Sequence, residues 1–197
     1  RPDCRLKTLR WQRPAFCAEE RELSRAEYER LCRAAEQQKK PRLLLLLQAL
    51  CATGIRVGEL PFLTVEAARR GEAFVQSKGK ARTVFLVRAL RQRLLQYAAR
   101  RDIESGPIFI TRTGKPIDRV AVWREMKALC QAAGVDERKV FPHNLRHLFA
   151  RIFYEQEKDI AKLADLLGHS SIDTTRLYIV STGAEHRRKM EKMRLIL

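Results

Sequence analysis

From residue 43 to residue 53 the chain is apolar nearly all round, opening with five consecutive leucines (43–47). Most helices of globular proteins carry one apolar stripe and one polar face. A helix apolar on every side has to be surrounded by other elements. Pro41 suits the first turn of such a helix, because its missing N–H would go unused there, and Gly54 ends or bends it. The run is far too short to span a bilayer. The chain must therefore assemble other helices around this segment. Hydrophobic residues make up 45% of its 197 positions, enough for one real core.

The flanking segments have the patterns needed to do this. Ser24 and Glu27 form a capping box, and Leu23 can staple onto Tyr28; Tyr28, Leu31, Cys32 and Ala35 then recur at helical spacing. A short helix is expected around 56–60, stopped by Pro61. β-Branched and aromatic residues predict a hairpin, with strands at 73–76 and 83–87 and a turn over Lys78, Gly79 and Lys80. Leu90, Leu94, Tyr97 and Ala98 line one face of the next helix, and 108–110 reads as a brief strand. Asp118 caps a helix running through Val122, Trp123, Met126, Leu129 and Cys130 to Gly134. Pro142 opens another, with Leu145, Leu148, Phe149, Ile152 and Phe153 on its apolar face. Asp159 begins a short helix closed by Gly168, and Ser170 with Asp173 suggests a capping box for the one that follows. The fold class expected is mainly α with a small antiparallel β-sheet. Residues 1–22 read as a basic linker or arm, 23–180 as the domain, and 181–197 as a basic C-terminal segment with an apolar end. A start at Arg1 rather than Met suggests a fragment or a processed product.

Charge narrows the partner. Forty Lys and Arg against 23 Asp and Glu leave a net +17, which concentrates polyanions near the surface and speeds their association. Nucleic acid is the natural partner; solubility or an anionic membrane surface is the blander account. The cysteines at 4, 17, 32, 51 and 130 are odd in number and irregularly spaced. They fit neither a disulfide framework nor a zinc site. Cys32, Cys51 and Cys130 lie in apolar patterns as buried thiols would, in keeping with a reducing cytosol. No signal peptide is present.

Several polar residues stand out, although each has an ordinary explanation. His143 and Arg146 are three apart at a helix start and share a face opposite the apolar stripe. A guanidinium there can present a fork to a phosphate, or belong to a solvated face. Arg56 sits between Gly54 and Gly58, with Glu59 three residues on to orient it, or to form a plain surface ion pair. Lys78, at the hairpin tip, can neutralise phosphate or donate a proton, or be a charged turn. His169 at a helix junction and Tyr178 beside Ile179 are each compatible with capping or core packing.

Taken together and in order, four segments resemble the tyrosine recombinase family, also called the phage integrase family: ATGIRVGEL (52–60), SKGK (77–80), PHNLRHLFA (142–150) and LLGHSSIDTTRLYI (166–179). The resemblance covers about residues 22–180, and its spacing is similar to that of Xer-type members. It implies a catalytic domain whose site comprises Arg56, Lys78, His143, Arg146, His169 and the nucleophile Tyr178, with Glu59 in support. It departs from the family in three respects: Pro61 follows the first motif, Lys80 rivals Lys78, and the family's N-terminal DNA-clamping domain is missing.

The chemistry so implied is attack of the Tyr178 oxygen on a DNA phosphate. It yields a 3′-phosphotyrosine bond and a free 5′-hydroxyl, and rejoining follows when a partner strand's 5′-hydroxyl attacks that bond. Cationic donors around the phosphate answer the charge that builds on its oxygens, so neither a cofactor nor a metal is expected. Lys80, Arg82, Arg119, Arg124 and Lys127 are candidate DNA contacts. Partners implied are double-stranded DNA at specific recombination sites and other protomers in a tetrameric synaptic complex, with no membrane. The expected setting is the bacterial cytoplasm, on the nucleoid when active. Integration or excision of a mobile element is the expected role. Chromosome dimer resolution, a type IB-like topoisomerase and a non-catalytic DNA-binding module are the alternatives.

Overall fold

The structure is a computed structural model that describes residues 22–77, 79–179 and 191–192. The arm (1–21), Lys78, the Lys80 side chain and most of the C-terminal segment lie outside the described residues. Nine α-helices and one hairpin, with two short 3₁₀ helices between them, make up the described fold. They are α1 (Arg25–Gln37), α2 (Pro41–Thr53), α3 (Val65–Arg70), β1 (Glu72–Ser77), β2 (Lys80–Phe85), α4 (Arg88–Arg100), α5 (Arg119–Lys127), α6 (Cys130–Ala133), α7 (Pro142–Glu157), α8 (Ile160–Leu167) and α9 (Ile172–Ile179). None of these helices is long and apolar enough to cross a membrane.

Helix α2 occupies the centre, as its sequence requires. Leu43, Leu45, Leu46, Leu47, Ala49, Leu50 and Cys51 are all buried, and α1, α4 and α7 pack around it. Truncating one of these leucines to Ala removes contacts on every side, a change that costs about 2–5 kcal/mol in a core of this kind. The capping box at Ser24 forms as expected: Ser24 Oγ accepts from the Glu27 amide, and the Glu27 carboxylate accepts from the Ser24 amide. Cys32, Cys51 and Cys130 are free thiols, the first half-buried and the other two buried.

Several local expectations change. The turn after α2 is a 3₁₀ helix over Val57–Phe62 that carries Pro61 inside it. The proline needs no N–H there, and Leu60 still accepts from the Leu63 amide. Helix α3 had not been anticipated; six residues are too few to show a period, although Thr64 caps it by accepting from Ala67 N. The strands reach closer to the turn than expected, β1 running from Glu72 to Ser77 and β2 from Lys80 to Phe85. Residues 108–110 form no strand; isolated bridges at Pro107, to Thr64, and at Ile110, to Pro116, are all that is made there. The helix opened by Asp118 splits into α5 and α6. Ser171, not Ser170, caps α9, its hydroxyl accepting from the Asp173 amide.

Beside the main core lies a smaller apolar cluster of Ala150, Leu163, Leu167 and Tyr178, with Phe149, Phe153, Tyr154 and Ile179 packed against it. Helices α7, α8 and α9 contribute all of it, and α8 also touches β2. This cluster brings the C-terminal motif back to the hairpin and to the loop after α2.

Candidate active site

Arg56 caps the 3₁₀ turn, and Glu59 holds it from within. The Glu59 carboxylate, only 3% exposed, accepts from the Arg56 backbone amide at 2.9 Å and from its guanidinium at 3.0 Å. The Arg56 side chain keeps 41% of its surface exposed, so its outer edge faces the cleft. The orienting ion pair expected of Glu59 is therefore present. It is half buried rather than superficial, because a second arginine approaches from the other side: Arg82 Nη2 donates to Glu59 Oε2 at 2.7 Å.

Arg82, a candidate DNA contact in the sequence, is turned inward at the edge of the cleft. It lies on the inward face of the hairpin opposite Val75, with its side chain 10% exposed and its guanidinium committed to Glu59 and to the Leu166 carbonyl. Arg119 and Arg124 are exposed on α5. Lys127 is half-buried, donates to the Glu137 carbonyl and lies 5.3 Å from the ring centroid of Trp123.

Arg146 was expected to turn away from the core, and it does not. It is 1% exposed, because the junction between α8 and α9 closes over it. Its Nη1 donates to the Gly54 carbonyl at 2.5 Å, and its Nη2 to the Leu167 carbonyl at 2.6 Å. The same Nη2 lies 2.9 Å from His169 Nε2. A guanidinium can only donate, so His169 Nε2 accepts, and Nδ1–H donates to Thr175 Oγ1 at 2.9 Å. His169 is thus the neutral tautomer and spends both nitrogens inside the protein. Among the described residues no carboxylate forms an ion pair with Arg146, and its Nε has no hydrogen-bond partner.

The Tyr178 ring closes the site and is 8% exposed. Its centroid lies 5.2 Å from that of His143, 4.9 Å from that of His169 and 5.8 Å from Arg146 Cζ. The closest ring is one that had not been singled out: His147 stacks on Tyr178 at 4.2 Å with the planes 19° apart. A signal for it was present, since residues 143, 146 and 147 stand at i, i+3 and i+4 on one helix face. The fold thus brings together Arg56, Glu59, His143, Arg146, His169 and Tyr178.

The electrostatics follow from burial and crowding of positive charge. Desolvation, helped by the neighbouring arginines, holds His143 below the usual imidazole range. The same causes bring His169 down to about 4. His147 also falls to about 4, through desolvation and then the charges of His143, Arg151 and Arg146. Burial and the Arg56 charge lower Arg146 to about 10, which leaves it cationic at neutral pH. A cleft of about 720 Å³ opens beside these groups, lined by Arg56, Arg82, Gly168, His169, Ser170 and Thr174 among others. Such an arrangement attracts an anion and keeps neutral imidazoles beside a phenol.

Comparison with known proteins agrees with this geometry. A model described as the phage integrase family matches residues 21–185. The tyrosine recombinase XerA of Pyrococcus furiosus is 32% identical over 182 residues, aligning 88% of this chain with 62% of its own. XerC of Erythrobacter litoralis is 36% identical over 165 residues, with 79% and 54% covered. A crystal structure of XerA recombinase superposes with a TM-score of 0.76 at 28% identity, over 94% of this chain and 67% of that one. The chain therefore spans less than two thirds of the length of these curated relatives.

Proposed function

Because the chain belongs to the phage integrase family, we propose that it cuts and rejoins DNA strands at specific sites through a covalent bond between Tyr178 and a 3′-phosphate. The observation that carries this reading is Arg146: a cation 1% exposed, with no carboxylate paired to it among the described residues, directly beside a phenol. A buried charge without a counterion is costly. A phosphodiester entering the cleft would supply the missing negative charge.

In this reading Arg56 and Arg146 hold the nonbridging oxygens and offset the charge that grows on them as phosphorus becomes five-coordinate. The Tyr178 oxygen attacks phosphorus, and the bond to the 5′ oxygen breaks. His143, an imidazole neutral at pH 7, takes the phenolic proton, and a lysine of the hairpin turn, Lys78 or Lys80, protonates the departing 5′ oxygen. Reversal with a partner strand's 5′-hydroxyl reseals the backbone and frees the tyrosine. His169 is fully engaged by Arg146 and Thr175. It turns to the phosphate only as the phosphate displaces the Arg146 contact. Arg119, Arg124 and Lys127 line the backbone. Exchange in a tetramer, with residues 181–197 passing to a neighbour, and action on the cytoplasmic nucleoid belong to the same proposal.

Integration or excision of a mobile element is the role we carry forward. Chromosome dimer resolution is the second reading, favoured by relatives that bear the Xer name. The test of the chemistry is a duplex nicked beside the cut position, incubated with the protein and run on a denaturing gel. A covalent adduct is expected with the native chain and none with Tyr178→Phe, at unchanged DNA affinity. An adduct surviving in Tyr178→Phe rules out the nucleophile assignment.

A further inference from the structure

Arg82 is a long, charged side chain at an inward strand position, facing Val75, which is 2% exposed. An arginine is expensive there unless its N–H groups are used. Two of its nitrogens are. Nη2 meets Glu59 at 2.7 Å, and Nη1 meets the carbonyl of Leu166 at 3.1 Å. Both acceptors belong to elements that carry site residues, Glu59 to the 3₁₀ turn of Arg56 and Leu166 to the end of α8 that leads to His169.

On one side, the single Glu59 carboxylate serves three donors: the Arg56 amide, the Arg56 guanidinium and Arg82. With Arg82 in place, one oxygen is shared and the other is left to Arg56 alone. Without it, the carboxylate is free to swing onto Arg56 with both oxygens and draw the guanidinium out of the cleft. On the other side, two successive carbonyls at the end of α8 are gripped by two guanidinia, Leu166 by Arg82 and Leu167 by Arg146. These are carbonyls the helix itself leaves unpaired, at its negative end. Gly168, the next residue, lies against the Arg82 side chain. A Cβ there would fall 2.3 Å from Arg82 Cδ and 2.9 Å from Nε. The backbone that delivers His169 therefore rests on Arg82.

We propose that Arg82 is a positioning residue, which sets the Arg56 guanidinium through Glu59 and clamps the Leu166–His169 turn, so that the hairpin is a working part of the phosphate site. The inference deepens the strand-cleavage reading and rests on it.

The experiment is a double-mutant cycle on adduct formation from the nicked duplex at saturating protein. Arg82→Gln is expected to slow adduct formation by roughly tenfold or more while DNA affinity changes by less than about threefold. In an Arg56→Ala background the same change is expected to cost less than about threefold, because the residue it acts through is already gone. Equal factors in both backgrounds overturn the proposal, as does a loss confined to DNA affinity. Arg82→Lys keeps a buried charge beside Glu59 and carries the same cycle if the glutamine variant does not fold. Should the native chain form no adduct, the strand-cleavage reading fails separately. The positioning claim is then read from the nitrogen-15 NMR resonance of the Arg56 guanidinium without DNA. A shift of that resonance in Arg82→Gln supports it, and an unmoved resonance overturns it.

Discussion

Tyr178 lies among three imidazoles, stacked on His147 at 4.2 Å with His169 and His143 at 4.9 and 5.2 Å. Aromatic pairs of this kind contribute about 0.5–1.5 kcal/mol beyond simple burial. His147 is neutral at pH 7, so the stack adds no further positive charge beside the phenol. His147→Ala removes the surface on which the phenol ring rests and is expected to slow adduct formation about three- to tenfold, with DNA affinity unchanged. His147→Phe restores a flat apolar partner and is expected to recover most of the rate. Single-turnover cleavage of the nicked duplex measures both, and a faster alanine variant would show that the stack restrains the tyrosine instead. Arg146 is the residue at which sequence and structure differ most. Its neighbours in the chain mark it as lying off the apolar stripe, but the carbonyls that bury it come from Gly54 and Leu167.

At the scale of elements, helix ends decide where the chemistry sits. Both α6 and α8 finish in a left-handed glycine, Gly134 at φ 59° and Gly168 at φ 64°. For any other residue that conformation costs about 1–2 kcal/mol. The two glycines differ in surroundings: a Cβ at Gly134 would meet nothing within 4 Å, whereas at Gly168 it would run into Arg82. Gly134→Ala is therefore expected to lower stability by about 1 kcal/mol and leave cleavage intact. Gly168→Ala is expected to lose at least as much stability and about tenfold in cleavage as well. Urea unfolding and adduct formation on the two variants make the comparison, and equal behaviour would detach the α8–α9 turn from the hairpin. The capping residues Ser24, Asp118 and Asp159 were legible in advance, because a cap is a local bargain between a side chain and the next three amides. Helix α3 and the break between α5 and α6 were not, since both are too short to show a period.

Across the whole molecule, the site couples stability to pH. His147 and His169 titrate near 4 in the folded chain, against about 6.5 when unfolded, chiefly because burial disfavours their charged forms. As pH falls below about 6.5 the unfolded chain takes up protons that the folded chain refuses. The stability these groups contribute above that pH is therefore lost progressively toward about pH 4. The urea midpoint should fall between about pH 7 and pH 5, and fall less steeply in His147→Phe, which has one fewer group to charge. An identical pH profile in that variant would mean that other groups carry the effect. The net charge of +17 acts over the same scale, drawing a polyanion toward the surface irrespective of sequence.

The buried leucine helix, the caps, the hairpin and the order of the four motifs were all readable from the chain, because each depends on residues within a turn or two of one another. Family resemblance then gathered Arg56, His143, Arg146, His169 and Tyr178 into one list. Only the tertiary structure decided which way their side chains face. Arg82 and Glu59 are 23 residues apart, and Arg146 lies 92 residues from Gly54. No local pattern fixes whether a distant carbonyl or carboxylate will be there to receive an arginine. That depends on how α7, α8 and α9 close against the hairpin, and packing of this kind is a property of the whole chain.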